Sequence, residues 1–155
     1  MEQYTTKTEK ETIELGRTFA AGLRGGDVVL LRGNLGAGKT VFVKGVAAGL
    51  GVREDITSPT FMLMNLYALP ASASATGTAS KLLCHIDTYR LKSTEELRTI
   101  GVQDYIGQPC VITLIEWPEK AAGLLSVLLC VEVEFKVIDG DIRMVTIEWD
   151  KRPYQ

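Results

Sequence analysis

The chain has 155 residues, 17 of them basic and 19 acidic, for a formal net charge of −2. That length suits a single domain over 1–155, and 46% hydrophobic with 23% charged residues excludes wholesale disorder or a collagen-like rod. The missing basic excess argues against a dedicated nucleic-acid or membrane-surface binder, because such proteins neutralise phosphates with clustered Lys and Arg.

The first seven residues are polar and lack the apolar core of a signal segment. The longest apolar stretch, 121–131, is broken by Ser126 and is shorter than the ~20 residues of a spanning helix. Cys84, Cys110 and Cys130 are far apart and form no CxxC pair, so each is expected to be a buried structural thiol. A cytoplasmic protein without membrane contact is expected.

In chain order, Thr8 with Glu11 fits a capping box and predicts a helix over 8–23. Ile13, Gly16, Ala20 and Leu23 share its apolar face, with Phe19 beside it. The run Val28-Val29-Leu30-Leu31 reads as a strand covered on both faces. A glycine-rich turn follows, then a helix over 40–50 ended by Gly51. A strand is predicted within 61–67. Residues 71–80 are Ala, Ser, Thr and Gly throughout, which predicts a flexible surface loop. A strand over 82–86 delivers Asp87, and Ser93 with Glu96 offers a second capping box before a helix closed by Gly101. A buried-type strand over 111–115 delivers Glu116. Beyond it Val131, Val133, Phe135 and Val137 alternate with charges, and Asp139-Gly140 precedes a β-rich run over 142–149, which predicts a hairpin with one wet face. The expected fold is α/β: a P-loop NTPase-type sheet flanked by helices, with an antiparallel β-hairpin extension near the C-terminus.

GNLGAGKT at 33–40 matches G-x-x-x-x-G-K-[ST] at every required position. Glycines let backbone N–H groups turn toward phosphate oxygens with no Cβ in the way. The following helix adds its unpaired N–H groups and the positive end of its dipole. Lys39 can reach the terminal phosphates as a point charge, and the Thr40 hydroxyl can join the coordination of Mg²⁺. A strand before the loop and a helix after it separate this match from a chance glycine motif.

Such a loop needs an acid at the end of a neighbouring strand to hold Mg²⁺ or orient the attacking water. Asp87 and Glu116 both qualify, since ligands of open α/β sheets sit beyond the carboxyl ends of the strands. His85, the only histidine, reads as a packed, hydrogen-bonded residue rather than a catalyst. Trp117 is either core or a wall of the site.

The guanine-reading segment N-K-x-D is absent, because the only asparagines are Asn34 and Asn65, so ATP is expected. Arg90 and Arg98 are too few for the arginine-bearing lid of a small nucleotide kinase. A ring-forming motor would want more chain. The residues support a compact Mg-ATPase with no obvious second-substrate pocket.

GNLGAGKT at 33–40, SPTF at 58–61, HIDTYRL at 85–91, GVQDY at 101–105 and IEW at 115–117 occur in this order. Together they resemble the TsaE family, the ATPase of tRNA threonylcarbamoyladenosine biosynthesis. The resemblance implies a P-loop protein that binds ATP and Mg²⁺, hydrolyses ATP slowly alone and joins the TsaB and TsaD proteins. Those partners modify the adenosine beside the anticodon, so tRNA is met only indirectly. By position, Thr40, Glu116 and Asp87 are the implied metal ligands. The implied catalytic set is Asp87, Glu116, Lys39 and Thr60, with Thr60 in a segment likened to a GTPase switch. The implied nucleotide contacts are Gly33, Asn34, Leu35, Gly36, Ala37, Gly38, Lys39, Thr40, Val41, Trp117, Arg143 and Thr6.

Three features depart from the family pattern. Val41 stands where many relatives have a second hydroxyl, which removes one contact while leaving its N–H. Asn34 replaces the usual acid in a loop that works through its backbone. Residues 71–80 look like an insertion. An alternative of another class is a nucleotide-dependent binding module, in which ATP occupancy rather than hydrolysis controls partner docking.

Overall fold

The apolar run at β2 (Val28–Arg32) is the axis of the molecule. All four of its apolar side chains are buried, as a strand covered on both faces requires. It lies between β5 (Val111–Glu116) and β6 (Leu129–Asp139), parallel to both. This computed structural model describes residues 1–59, 63–71 and 81–153. The remaining strands are β1 (Glu2–Thr6), β3 (Met64–Ala68), β4 (Leu82–Asp87) and β7 (Ile142–Pro153). All seven form one mixed sheet in the order β1-β7-β6-β2-β5-β4-β3. Strands β4, β5, β2 and β6 are parallel, whereas β3, β7 and β1 attach antiparallel to their neighbours.

The helices cover the two faces. On one lie α1 (Glu9–Ala20) and α2 (Lys39–Gly49), over Val29, Leu31, Leu83, Leu114, Val133 and Phe135. On the other lie α3 (Thr94–Thr99) and α4 (Ala122–Leu125), over Val28, Leu30, Cys84, Ile86 and Ile115. The α1–α2 contact is close because of glycines. A Cβ on Gly45 would run into the Ile13 carbonyl, and one on Gly16 into the Phe42 carbonyl. No larger side chain fits between backbones that near.

Thr8 caps α1 as its sequence predicts, with Oγ1 accepting from the Glu11 N–H at 3.1 Å. Glu11 reaches back one residue further, to the Lys7 N–H at 2.7 Å. The helical face turns slightly from the expected one: Thr12, Gly16, Phe19 and Ala20 are buried, and Ile13 only half. Ser93 is a correction. It stands at the N-cap of α3, but its side chain makes no capping hydrogen bond. Gly101 ends that segment at φ 78°, a backbone that favours glycine. Cys110 is a second correction: Cys84 and Cys130 are buried, Cys110 is exposed.

The C-terminal hairpin is part of the main sheet, since β6 pairs with β2 along Val28–Arg32. Its alternation holds through Phe135, with Val131, Val133 and Phe135 buried and Glu132 and Glu134 half-exposed, but Val137 is exposed, because the hairpin runs out past the helices that cover the sheet. Strand β1 is an edge strand with no apolar alternation, four of its five residues being exposed. Pairing with β7 fixes it, through backbone groups that leave no mark on side-chain pattern. No helix among the described residues is long and apolar enough to cross a membrane. Thr60 and most of the 71–80 segment lie outside the described residues.

Candidate functional site

Register sets the site. Leu31 pairs with Glu116, and Glu116 pairs with Asp87, so the carboxyl ends of β2, β5 and β4 finish level. The chain leaves β2 through Gly33, where a Cβ would come within 2.8 Å of the Phe135 carbonyl oxygen. It enters α2 at Gly38, whose φ of 102° is left-handed and which supplies no side-chain cap. The first amides of α2 therefore have no side-chain cap and lie beyond the reach of the helix's own carbonyls, the arrangement that suits an anion.

A cavity of about 490 Å³ opens in front of those amides. Leu35, Gly36, Ala37, Gly38, Lys39, Thr40 and Val41 line it on the loop side, and Ser58, Asp87, Tyr89, Arg90, Glu116 and Trp117 on the other. The Thr40 hydroxyl donates to Glu116 Oε1 at 2.8 Å. His85 Nε2 stands 2.9 Å from that same oxygen. Glu116 is only 3% exposed and His85 is fully enclosed.

Lys39 is folded onto its own loop, with Nζ donating to the Gly33 carbonyl at 2.5 Å and the Asn34 carbonyl at 3.0 Å. The ammonium also lies 4.0 Å from the centre of the Trp117 ring. Burial pushes the Lys39 pKa down, while Glu116, Asp87 and Glu119 pull the other way. Asp87 is held differently from Glu116: Ser58 Oγ donates to Oδ2 at 2.8 Å and the Tyr89 N–H to Oδ1 at 2.9 Å.

Trp117 adopts a left-handed backbone at φ 59°, unusual for a bulky residue. Thr88, fully buried, holds it there: its hydroxyl reaches the Trp117 carbonyl and, at 3.1 Å, the Glu116 carbonyl. The turn aims the indole between Lys39 and Tyr89, whose ring centre is 5.0 Å away.

Most residues singled out in the sequence thus meet around one cavity. Gly33 and Asn34 line an adjoining groove and give their carbonyls to Lys39. Thr6 is buried, its hydroxyl 2.9 Å from that of Thr12 beneath the loop. Arg143, its partner across β1 and β7, donates to the Gly140 carbonyl at 2.6 Å and reaches the Gly36 carbonyl at 3.5 Å. Ser58 belongs to the SPTF motif but was not expected on Asp87. Glu9 also lines the cavity, and only the tertiary placement of α1 brings it there.

Among the described residues no group of three His, Cys, Asp or Glu could hold a metal unaided. The donors that do converge are hard oxygens, a hydroxyl and two carboxylates. Such a set suits Mg²⁺ completed by phosphate oxygens and water.

The model of the family "Threonylcarbamoyl adenosine biosynthesis protein TsaE" matches residues 6–145. The chain is 36% identical to a tRNA threonylcarbamoyladenosine biosynthesis protein TsaE of Rickettsia typhi, over 94% of this chain and 93% of the relative. A protein of the same name from Treponema pallidum is 36% identical over 92% of this chain and 96% of its own length. The crystal structure of Bacillus subtilis YdiB superposes with a TM-score of 0.72 at 29% identity, covering 94% of this chain and 83% of that one. With a matched sequence of nearly full length and a matching fold, the chain belongs to the TsaE family.

Proposed function

We propose that the protein binds MgATP in the loop cavity and hydrolyses it in support of threonylcarbamoyl modification of tRNA, in the cytoplasm. The observation that carries this reading is the Thr40–Glu116 hydrogen bond of 2.8 Å at the open N-terminus of α2. It couples the hydroxyl that ends the phosphate-loop motif to an acid at the neighbouring strand end, the two groups that a nucleotide-bound Mg²⁺ uses. The loop amides would hold the phosphates, Lys39 would turn from its carbonyls to them, and Thr40 with Glu116 would hold the metal, with Asp87 alongside. Bound Mg²⁺ would supply charge neutralisation to the terminal phosphates. Trp117 and Tyr89, with ring centres 5.0 Å apart, form one wall of the cavity. The proposed partners are TsaD and TsaB, with tRNA met only through them. A chain of net charge −2 has little with which to neutralise tRNA phosphates.

The test is ATP turnover by the chain alone and with TsaB and TsaD from the same source. Slow turnover alone, faster turnover with the partners and none in Lys39→Ala are expected. Equal turnover in the substituted protein would refute the site.

One observation favours the second reading, a nucleotide-dependent docking module. Both oxygens of Asp87 are engaged, one of them by Ser58 just ahead of the segment that carries Thr60. A γ-phosphate arriving at Asp87 could thereby shift residues 58–59 without being cleaved. A Glu116→Ala protein that holds ATP uncleaved yet supports repeated rounds of tRNA modification would decide for the module.

A further inference from the structure

His85 is a costly residue for its position. It lies on β4, fully enclosed, and points to the same face of the sheet as Leu83 and Asp87. Its Nε2 meets Glu116 Oε1 at 2.9 Å, whereas its Nδ1 is buried with no hydrogen-bond partner among the described residues. A carboxylate only accepts, so Nε2 must carry the proton. Nδ1 is then left without a partner in the core, a penalty of the kind that natural cores avoid. An aliphatic side chain would fill the same space without it. The one polar contact the ring makes is therefore the reason to look for its role.

That contact fixes the rotation of the Glu116 carboxylate. The terminal torsion of Glu is broad and nearly two-fold, so one hydrogen bond leaves it poorly set. Here two donors, the Thr40 hydroxyl and the His85 ring, converge on Oε1. Oε2 makes no hydrogen bond among the described residues, and the carboxylate lines the cavity. We propose that His85 is a positioning residue for Glu116: it clamps Oε1 from below so that Oε2 is the oxygen offered to the nucleotide-bound divalent cation. This deepens the MgATP reading and rests on it. Partners behind metal-ligating groups act in this way, and their loss typically costs about 10–100-fold in metal affinity.

The test pairs two substitutions. His85→Leu removes both the Nε2 donor and the orphaned Nδ1, while His85→Gln keeps an amide N–H near the place of Nε2. ADP is titrated calorimetrically into each protein, first in EDTA and then over a Mg²⁺ series. In EDTA all three proteins should bind ADP alike. In the Mg²⁺ series His85→Leu should need roughly 10–100-fold more Mg²⁺ for the same gain in ADP affinity, and His85→Gln should recover most of it. Urea unfolding separates this from a structural role, because the loss in His85→Leu should appear while the protein remains folded. Nitrogen NMR of the ring should show Nε2 protonated. An unchanged Mg²⁺ requirement in His85→Leu, no rescue by His85→Gln, or a ring bare at Nε2 would each overturn the proposal while leaving the nucleotide site standing. Failure of the unsubstituted protein to bind ADP would overturn both.

Discussion

Two strand ends, carrying acids one methylene apart and adjacent in the sheet, are built to opposite designs. Glu116 at the end of β5 is buried and tied to fixed elements, the first turn of α2 through Thr40 and the core of β4 through His85. Asp87 at the end of β4 is half-buried and tied to loops, through the Ser58 hydroxyl and the Tyr89 amide. A carboxylate held by a helix and a strand keeps one geometry. One held by loop residues can change partners at the cost of a hydrogen bond or two, on the order of 1–3 kcal/mol when charged groups are involved. Under the proposed MgATP reading, that difference gives Glu116 the static work of metal holding and Asp87 the step at which chemistry or signalling occurs.

The largest effect that could break this contrast is on turnover. Glu116→Gln and Asp87→Asn should each lower partner-stimulated ATP hydrolysis by about 100-fold or more. Asp87→Asn should leave MgATP affinity near that of the parent, whereas Glu116→Gln should not. Equal losses of affinity in both would erase the distinction.

A smaller effect tests what links the two ends. Thr88 follows Asp87 directly and bonds the carbonyls of Glu116 and Trp117. Thr88→Val keeps the volume and removes the hydroxyl, leaving the Glu116 carbonyl to the residue-88 N–H and the Trp117 carbonyl to the Lys120 N–H. Urea unfolding should show a loss of about 0.5–1.5 kcal/mol, with the Trp117 turn loosened. No loss would mean that the strand ends are set by β-pairing alone.

The smallest effect concerns the three cysteines, on β4, just ahead of β5 and on β6. Burial pushes the Cys84 thiol up to about 12 and the Cys130 thiol up to about 11. Cys110, just ahead of β5, is exposed. Alkylation of the folded protein at neutral pH should therefore modify Cys110 alone, with turnover unchanged. Labelling of Cys84 in the native state would show that β4 opens, and with it the scaffold of Asp87.

Much of this was legible beforehand, for physical reasons that differ by element. The phosphate loop, its strand and its helix were visible because glycine placement and a continuous apolar run are local signals. The acids were visible because a strand that ends in a carboxylate leaves few other readings. His85 read as a packed residue because its partner lies 31 positions away, and only strand register brings the two together. The same limit hid Glu9 in the cavity wall and β1 at the sheet edge. Ser93 shows the reverse error: the capping-box spacing was present, yet the side chain makes no capping bond.

The central claim is that this cavity holds MgATP through Thr40 and Glu116. Its most direct test is equilibrium titration of ATP into the unsubstituted chain and into Glu116→Gln, with Mg²⁺ and with EDTA. The account predicts that Mg²⁺ strengthens ATP binding to the unsubstituted chain and that Glu116→Gln loses that gain while binding ATP normally in EDTA. No ATP binding by the unsubstituted chain, or a full Mg²⁺ gain in Glu116→Gln, would contradict it.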